Sequence, residues 1–245
     1  AISGTDFSAT SGALTFNNGG ALTQTISVPV TRDNIDEDDE LFALDILASG
    51  ANVTDGKGEG SILDDDTAVV SINNVSQNEG NAGTSNFVFT LSLSTPSAST
   101  LEYSVYTTDG SASAGSDYVG IPAPGNTVVF PPLSTTQTVT VTVNGDTTVE
   151  ADETFNALVL FALPVIEGGP TPVATGVGTI INDDVAVNIG INDVSVTEGT
   201  GAGSTNAVFT VTLSAQPPVG APVSVSYSTA GGSATSGTDF TAASG

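Results

Sequence analysis

One acidic stretch, DNIDEDDELF at Asp33–Phe42, returns later in the chain as DTTVEADETF at Asp146–Phe155. The copies share acids at Asp33 and Asp146, Glu37 and Glu150, Asp39 and Asp152, and Glu40 and Glu153, and each ends on a phenylalanine. Each follows an alternating run, QTISVPV (Gln24–Val30) or QTVTVTV (Gln137–Val143), and each leads into an apolar one, FALDIL or FNALVL. Alternation with period two is the pattern of a strand with one buried face. Both copies are therefore predicted as acidic loops between two strands. A chain that repeats strand, loop and strand in this way must bring the same carboxylates to the same place in each unit.

Other segments recur in the same order. GTDF at Gly4 returns as GSDY at Gly115 and GTDF at Gly237. SINNVSQNEG (Ser71–Gly80) returns as GINDVSVTEG (Gly190–Gly199), and NFVFTLSLS (Asn86–Ser94) as NAVFTVTLS (Asn206–Ser214). GKGEGSILDDD (Gly56–Asp66) returns as ATGVGTIINDD (Ala174–Asp184). The period of about 120 residues is too long for a solenoid and matches one β-sandwich domain. The expected organisation is the back of a first unit at 1–66, a whole unit at 67–184 and the front of a third at 185–245. Both termini fall in the same motif, the pattern expected of a window from a longer protein.

Within the whole unit, strands are predicted near Ala68–Ile72, Asn86–Leu93, Leu101–Tyr106, Thr127–Phe130, Gln137–Val143, Thr154–Leu163 and Gly176–Ile181. No run of helical length has a 3.6-residue period. The fold class is all-β: tandem immunoglobulin-like Greek-key β-sandwiches, two antiparallel sheets packed face to face. Phe87, Phe89, Phe130, Phe155 and Phe161 are expected in the core.

Charge narrows the function. There are 27 acids against two bases, Arg32 and Lys57, for a net charge of −25. Nucleic acid and anionic membrane surfaces are excluded as partners, because both are held by Lys and Arg. No apolar run is long enough for a membrane-spanning helix, so membrane insertion is not expected. The absence of Cys and His removes thiolate chemistry, the commonest general base and the usual zinc ligands.

The middle unit holds eleven acids and no basic side chain, and eight of the eleven fall in four places. These are Glu79, Asp117, the loop set Asp146, Glu150, Asp152 and Glu153, and the pair Asp183 and Asp184. If the fold gathers them, no basic side chain of that unit can neutralise them, and close carboxylates then repel or take up protons. A hard divalent cation is the natural remedy, since carboxylate oxygens suit Ca²⁺. The alternative is a solvated acidic surface adapted to salt water. The two are compatible.

The EG after the first strand, the GSDY motif, the GDTTVEADETF loop and the closing INDD together resemble the Calx-beta domain, across essentially the whole chain. The resemblance implies immunoglobulin-like sandwiches with calcium held at one end, beside the C terminus of each unit. Carried over by position, the middle site would use Glu79, Asp117, Asp146, Glu150, Glu153, Asp183 and Asp184, with Asp152 at a further acidic position of the loop. The first unit would offer Asp6, Asp33, Glu37, Glu40, Asp64, Asp65 and Asp66. The third would offer Glu198 and Asp239. Asn182 stands where the first unit has Asp64, so the middle site is expected to hold fewer ions, more weakly.

The short joints after Asp66 and Asp184 would put such an ion at the domain junction. The resulting expectation is a non-catalytic, calcium-stiffened repeat of a large extracellular or cell-surface protein, an adhesin stalk or a fibre. Its partners would be neighbouring units of the same protein, with self-association into fibres as a further expectation. The competing reading is a module for carbohydrate or protein ligands, but the four tyrosines (Tyr103, Tyr106, Tyr118 and Tyr227) do not cluster in sequence. A carboxylate-pair glycosidase fits less well, because acidic loops that recur in each unit suit a structural role better than a single active site.

Overall fold

Val139, Val141 and Val143 alternate with Thr138, Thr140 and Thr142, and the valines are buried while Thr138 and Thr140 are exposed. That alternation is repeated around one closed core. A computed structural model describes residues 1–161, 172–217 and 222–245. Its strands are β1 (Glu40–Asp45), β2 (Lys57–Ile62), β3 (Val70–Ile72), β4 (Val75–Asn78), β5 (Gly83–Leu93), β6 (Leu101–Asp109), β7 (Asn126–Phe130), β8 (Thr136–Gly145), β9 (Glu153–Phe161), β10 (Ala174–Ile181), β11 (Ile189–Ile191) and β12 (Val211–Leu213).

In the middle unit a sheet ordered β3-β5-β8 packs on one ordered β4-β10-β9-β6-β7. The chain is all-β among the described residues, as expected. The predicted first strand is split in two. Val70–Ile72 joins the first sheet antiparallel to β5, and Val75–Asn78 joins the second parallel to β10. The intervening asparagines make the crossing possible. Asn73 Oδ1 accepts from Thr90 N at 2.6 Å, and Asn74 Oδ1 accepts from Val177 N at 2.8 Å. Each amide side chain thus satisfies a main-chain donor where the strand leaves one sheet for the other. Gly176 completes the crossing, since a Cβ there would lie 2.5 Å from the Asn73 carbonyl oxygen.

Phe155 lies at the centre of the core. It stacks on Tyr118 at 4.4 Å and lies 6.0 Å from both Phe87 and Phe89. Gly178 faces it across the β9–β10 pair, leaving room for the ring. The first unit repeats the device, with Phe42 over Gly60 and Phe7 stacked on Phe42 at 5.0 Å. Phe87, Phe89, Phe130 and Phe155 are buried. Phe161 is not. It ends β9 with 54% of its surface exposed, its ring 5.3 Å from that of Tyr103. The expected strand Thr154–Leu163 is described only as far as Phe161.

The flanking units keep the same local pairings. β1–β2 reproduces β9–β10, and β11–β12 reproduces β3–β5. All buried hydrophobic side chains among the described residues lie between Val70 and Ile180. The flanking units therefore carry strand pairs without a closed core of their own.

Candidate metal centre

Four loops deliver the carboxylates to one end of the middle sandwich. Glu79 follows β4, Asp117 lies in the GSDY turn, Asp146 and Glu150 belong to the β8–β9 loop, and Asp183 and Asp184 follow β10. β4 and β10 are parallel neighbours, so Glu79 and the terminal Asp pair leave the sheet side by side. Asp117, Glu150 and Glu153 each bring a carboxylate oxygen within 4.8 Å of the others.

Turn geometry fixes the orientation of several of these groups. Asp117 accepts from Ser113 N at 2.7 Å, and Asp239 accepts from Thr235 N at 2.7 Å in the third copy of the motif. Asp6 holds Ile2 N in the same way. Asp146 accepts from Thr148 N at 2.6 Å, as Asp33 does from Ile35 N at 2.9 Å. These are side-chain turns, in which a short acid caps its own loop.

The electrostatics are those of uncompensated negative charge. Burial pushes the Glu79 carboxyl up from its ordinary 4.5 to about 7, and Asp146, Asp184, Glu150 and Asp183 add to the effect in that order. Glu153 is raised by burial, then by Asp117 as a charge and hydrogen-bond partner, and by Glu150. Glu79 and Asp184 are both buried, and Asp184 Oδ2 has no hydrogen-bond partner. A buried carboxylate oxygen without a donor costs free energy unless a cation or proton meets it. The orphaned Asp184 oxygen, the protonation-prone Glu79 and the all-oxygen donor set fit a hard divalent cation.

Some predicted residues have additional work. Asp152 Oδ1 accepts from Asn182 N at 3.2 Å, just as Asp39 Oδ1 accepts from Asp64 N at 3.0 Å. Asp183 accepts from Gly80 N at 3.1 Å and Asn78 Nδ2 at 3.4 Å, tying the end of β10 to the end of β4. Sequence reasoning passed over Asn78 and Asn81 and read Asn182 only as a lost charge. Asn78 bonds Asp183, Asn81 Nδ2 bonds Asp184, and Asn182 Nδ2 donates to the Glu150 carbonyl at 3.0 Å. The amides beside the EG dipeptide were the available signal. Asn182 exchanges a charge for a donor that ties the β8–β9 loop to the C-terminal segment.

In the first unit, Asp6, Glu37 and Glu40 bring oxygens within 4.8 Å of one another. They line a cleft of about 490 Å³ with Asp33 and with Asp64, Asp65 and Asp66. Glu37 is raised by burial and then by Asp33, Glu40, Asp6 and Asp64; Asp66 is raised by burial and then by Asp65 and Asp64. In the third unit, Glu198 and Asp239 belong to no such group among the described residues.

The sign of the Glu79 shift makes a prediction. Its pKa is higher folded than unfolded, so its contribution to stability is full below about 4.5 and is lost as pH rises through about 7. In chelator, the middle domain should melt at a higher temperature at pH 5 than at pH 8. Equal melting temperatures would contradict the buried-carboxylate account.

The family model for the Calx-beta domain matches residues 1–75, 63–167 and 181–245. Among curated proteins none matches. Solved structures with similar parts include CBD12 from CALX1.2, at 21% identity over 47% of this chain and 44% of that one, with a TM-score of 0.38. They also include the apo-form Calx CBD1 domain, at 23% identity over 47% and 99% with a TM-score of 0.33. A third is the calcium binding domain CBD12 of CALX1.1, at 21% identity over 47% and 44% with a TM-score of 0.37. The chain thus spans less than half the length of the CBD12 structures it matches. With three tandem family matches over nearly its whole length, and the acids of each acidic loop drawn to the end of its sheets, the chain belongs to the Calx-beta family.

Proposed function

We propose that this chain is a non-catalytic, calcium-binding structural segment of a large secreted or cell-surface protein, an adhesin stalk or extracellular fibre. In this reading Ca²⁺ stiffens the domain junctions. Glu79, Asp117, Asp146, Glu150, Glu153 and Asp184 would hold the ion in the middle unit, with Asp152 and Asp183 shaping the loops around it. Asp6, Asp33, Glu37, Glu40 and the Asp64–Asp66 run would do so in the first.

The observation that carries the proposal is the double use of the first unit's acidic loop. Between Asp33 and Glu37 the loop docks on the next unit. Asp36 N donates to Pro96 O and Asp36 O accepts from Ala98 N, both at 2.9 Å. Ser97 Oγ adds a bond to Asp36 O at 3.3 Å, and Ser97 O accepts from Leu133 N at 2.8 Å. A cation that orders Asp33 and Glu37 would order the residue between them that grips the neighbouring domain. Without it, repulsion among these acids loosens loop and joint together.

Small-angle scattering of a longer array tests this. The expected result is a greater maximum dimension and greater protease resistance in calcium than in excess chelator. A maximum dimension and protease sensitivity that do not change on chelation would sink the stiffening role.

A further inference from the structure

We propose that β8 of the middle unit is a self-association edge, where a second copy of this chain adds antiparallel through Thr136–Thr140. The strand lies at the border of its sheet, paired on one side only, with β5. At its far end the outer side is covered, since Val119 N donates to Thr142 O at 2.8 Å and Asn144 N donates to Asp117 O at 2.9 Å. Those bonds fix the direction of the main chain. In an antiparallel ladder, alternate residues turn both N–H and C=O to the same side. Thr142 and Asn144 face away from β5, so Thr136, Thr138 and Thr140 do too. The inner face agrees, because Leu93 N donates to the odd-numbered Thr135 O at 2.9 Å. Among the described residues, no main-chain group bonds the outward sides of Thr136, Thr138 or Thr140, and only the Ser134 hydroxyl reaches the Thr136 carbonyl, at 3.5 Å.

Sheet edges are normally blunted by short length, proline or charge. β3 has three residues, β4 has four and runs into Glu79, and β7 has five and runs into Pro131 and Pro132. β8 has ten residues, TQTVTVTVNG, with no proline and no charge. The first unit offers an internal contrast. Its counterpart segment carries Pro29 where β8 has Thr142, and Pro29 O accepts from Ser8 N at 2.9 Å as Thr142 O does from Val119 N. The first unit thus carries a proline at the matching outward position, and the middle unit lacks that block.

A two-fold pair centred on Thr138 sets Thr138 opposite its copy and Thr136 opposite Thr140. That makes three hydrogen-bonded residue pairs and about six main-chain bonds. The sheet would run continuously through both copies, with the valines on the two cores and the threonines outside. Each copy brings a net charge of −25 to the pair. Negative charge therefore opposes the pairing at low salt. Screening at about 1 M salt, where the Debye length is about 3 Å, removes that opposition.

Sedimentation equilibrium of the full chain in chelator and about 1 M NaCl tests the proposal independently of calcium binding. The expected result is a concentration-dependent dimer, weakened about tenfold or more in both Thr138→Pro and Thr138→Lys. Thr138→Pro removes only an outward donor, and Thr138→Lys places charge on the edge. Thermal melts like that of the unsubstituted chain show that each variant is folded, and Thr138→Lys decides if the proline variant is not. A chain that stays monomeric at every concentration overturns the proposal, as does a dimer of unchanged strength in the folded variants.

Discussion

Replacing Glu150 and Asp184 together by alanine is expected to abolish calcium binding by the middle unit and leave that of the first unit in place. The two residues enter the cluster from different loops, one before β9 and one after β10, so losing both opens the cage on two sides. Asp184 also carries the buried oxygen that no donor satisfies. Calorimetric titration should show the stoichiometry fall by the middle unit's share, with Ca²⁺ preferred to Mg²⁺ in the unsubstituted chain because loop carboxylates form a loose, high-coordination cage. A ligand present at a hundredfold excess over its Kd stabilises the state that binds it by about 2.7 kcal/mol. The middle domain of the double variant should lose that increment and melt at the same temperature with calcium as with chelator. In chelator the sign reverses. The variant has two fewer mutually repelling carboxylates beside Glu79 and should melt above the unsubstituted chain. An unchanged stoichiometry would show that these residues are not the ligands.

Phe155→Ala is expected to cost the middle domain about 3–5 kcal/mol, the range for truncating a fully buried aromatic ring. The ring is fully buried and stacks on Tyr118 while lying beside Phe87 and Phe89, so neighbours from the GSDY turn and from β5 face the void. Gly178 cannot fill it, having no side chain to move. Denaturant unfolding followed by far-ultraviolet circular dichroism would measure the loss. The largest part of the effect should lie in the middle unit, since only that unit closes a core among the described residues. A loss below about 1 kcal/mol would mean that the core collapses onto the site and that Phe155 is not its centre.

The amino-acid sequence by itself determined most strands of the middle unit, their order and the placing of acids in loops between them, while Gln24–Val30, read as a strand, pairs only at Val30. Strand alternation is local, and each acidic loop is bounded by its own two strands, so both are written in contiguous residues such as Gln137–Val143 and Asp146–Phe155. The repeat then compared the chain with itself: Phe42 and Phe155 occupy matching positions, and the structure gives them matching glycine partners. Tertiary structure decided what depends on partners far away in sequence. The split of the first strand needed Thr90 and Val177 to supply donors to Asn73 and Asn74. The exposure of Phe161 followed from its place at the end of β9, which apolar character alone does not report. The loop-shaping bonds of Asp152 and Asp183 run to Asn182 and Gly80, and the grip of Asp36 on Ser97 joins two units. The reason is physical. A carboxylate in a sequence is only a charge. Whether it faces a cation, a backbone amide or open water depends on which main-chain groups the folded sheets leave unpaired beside it.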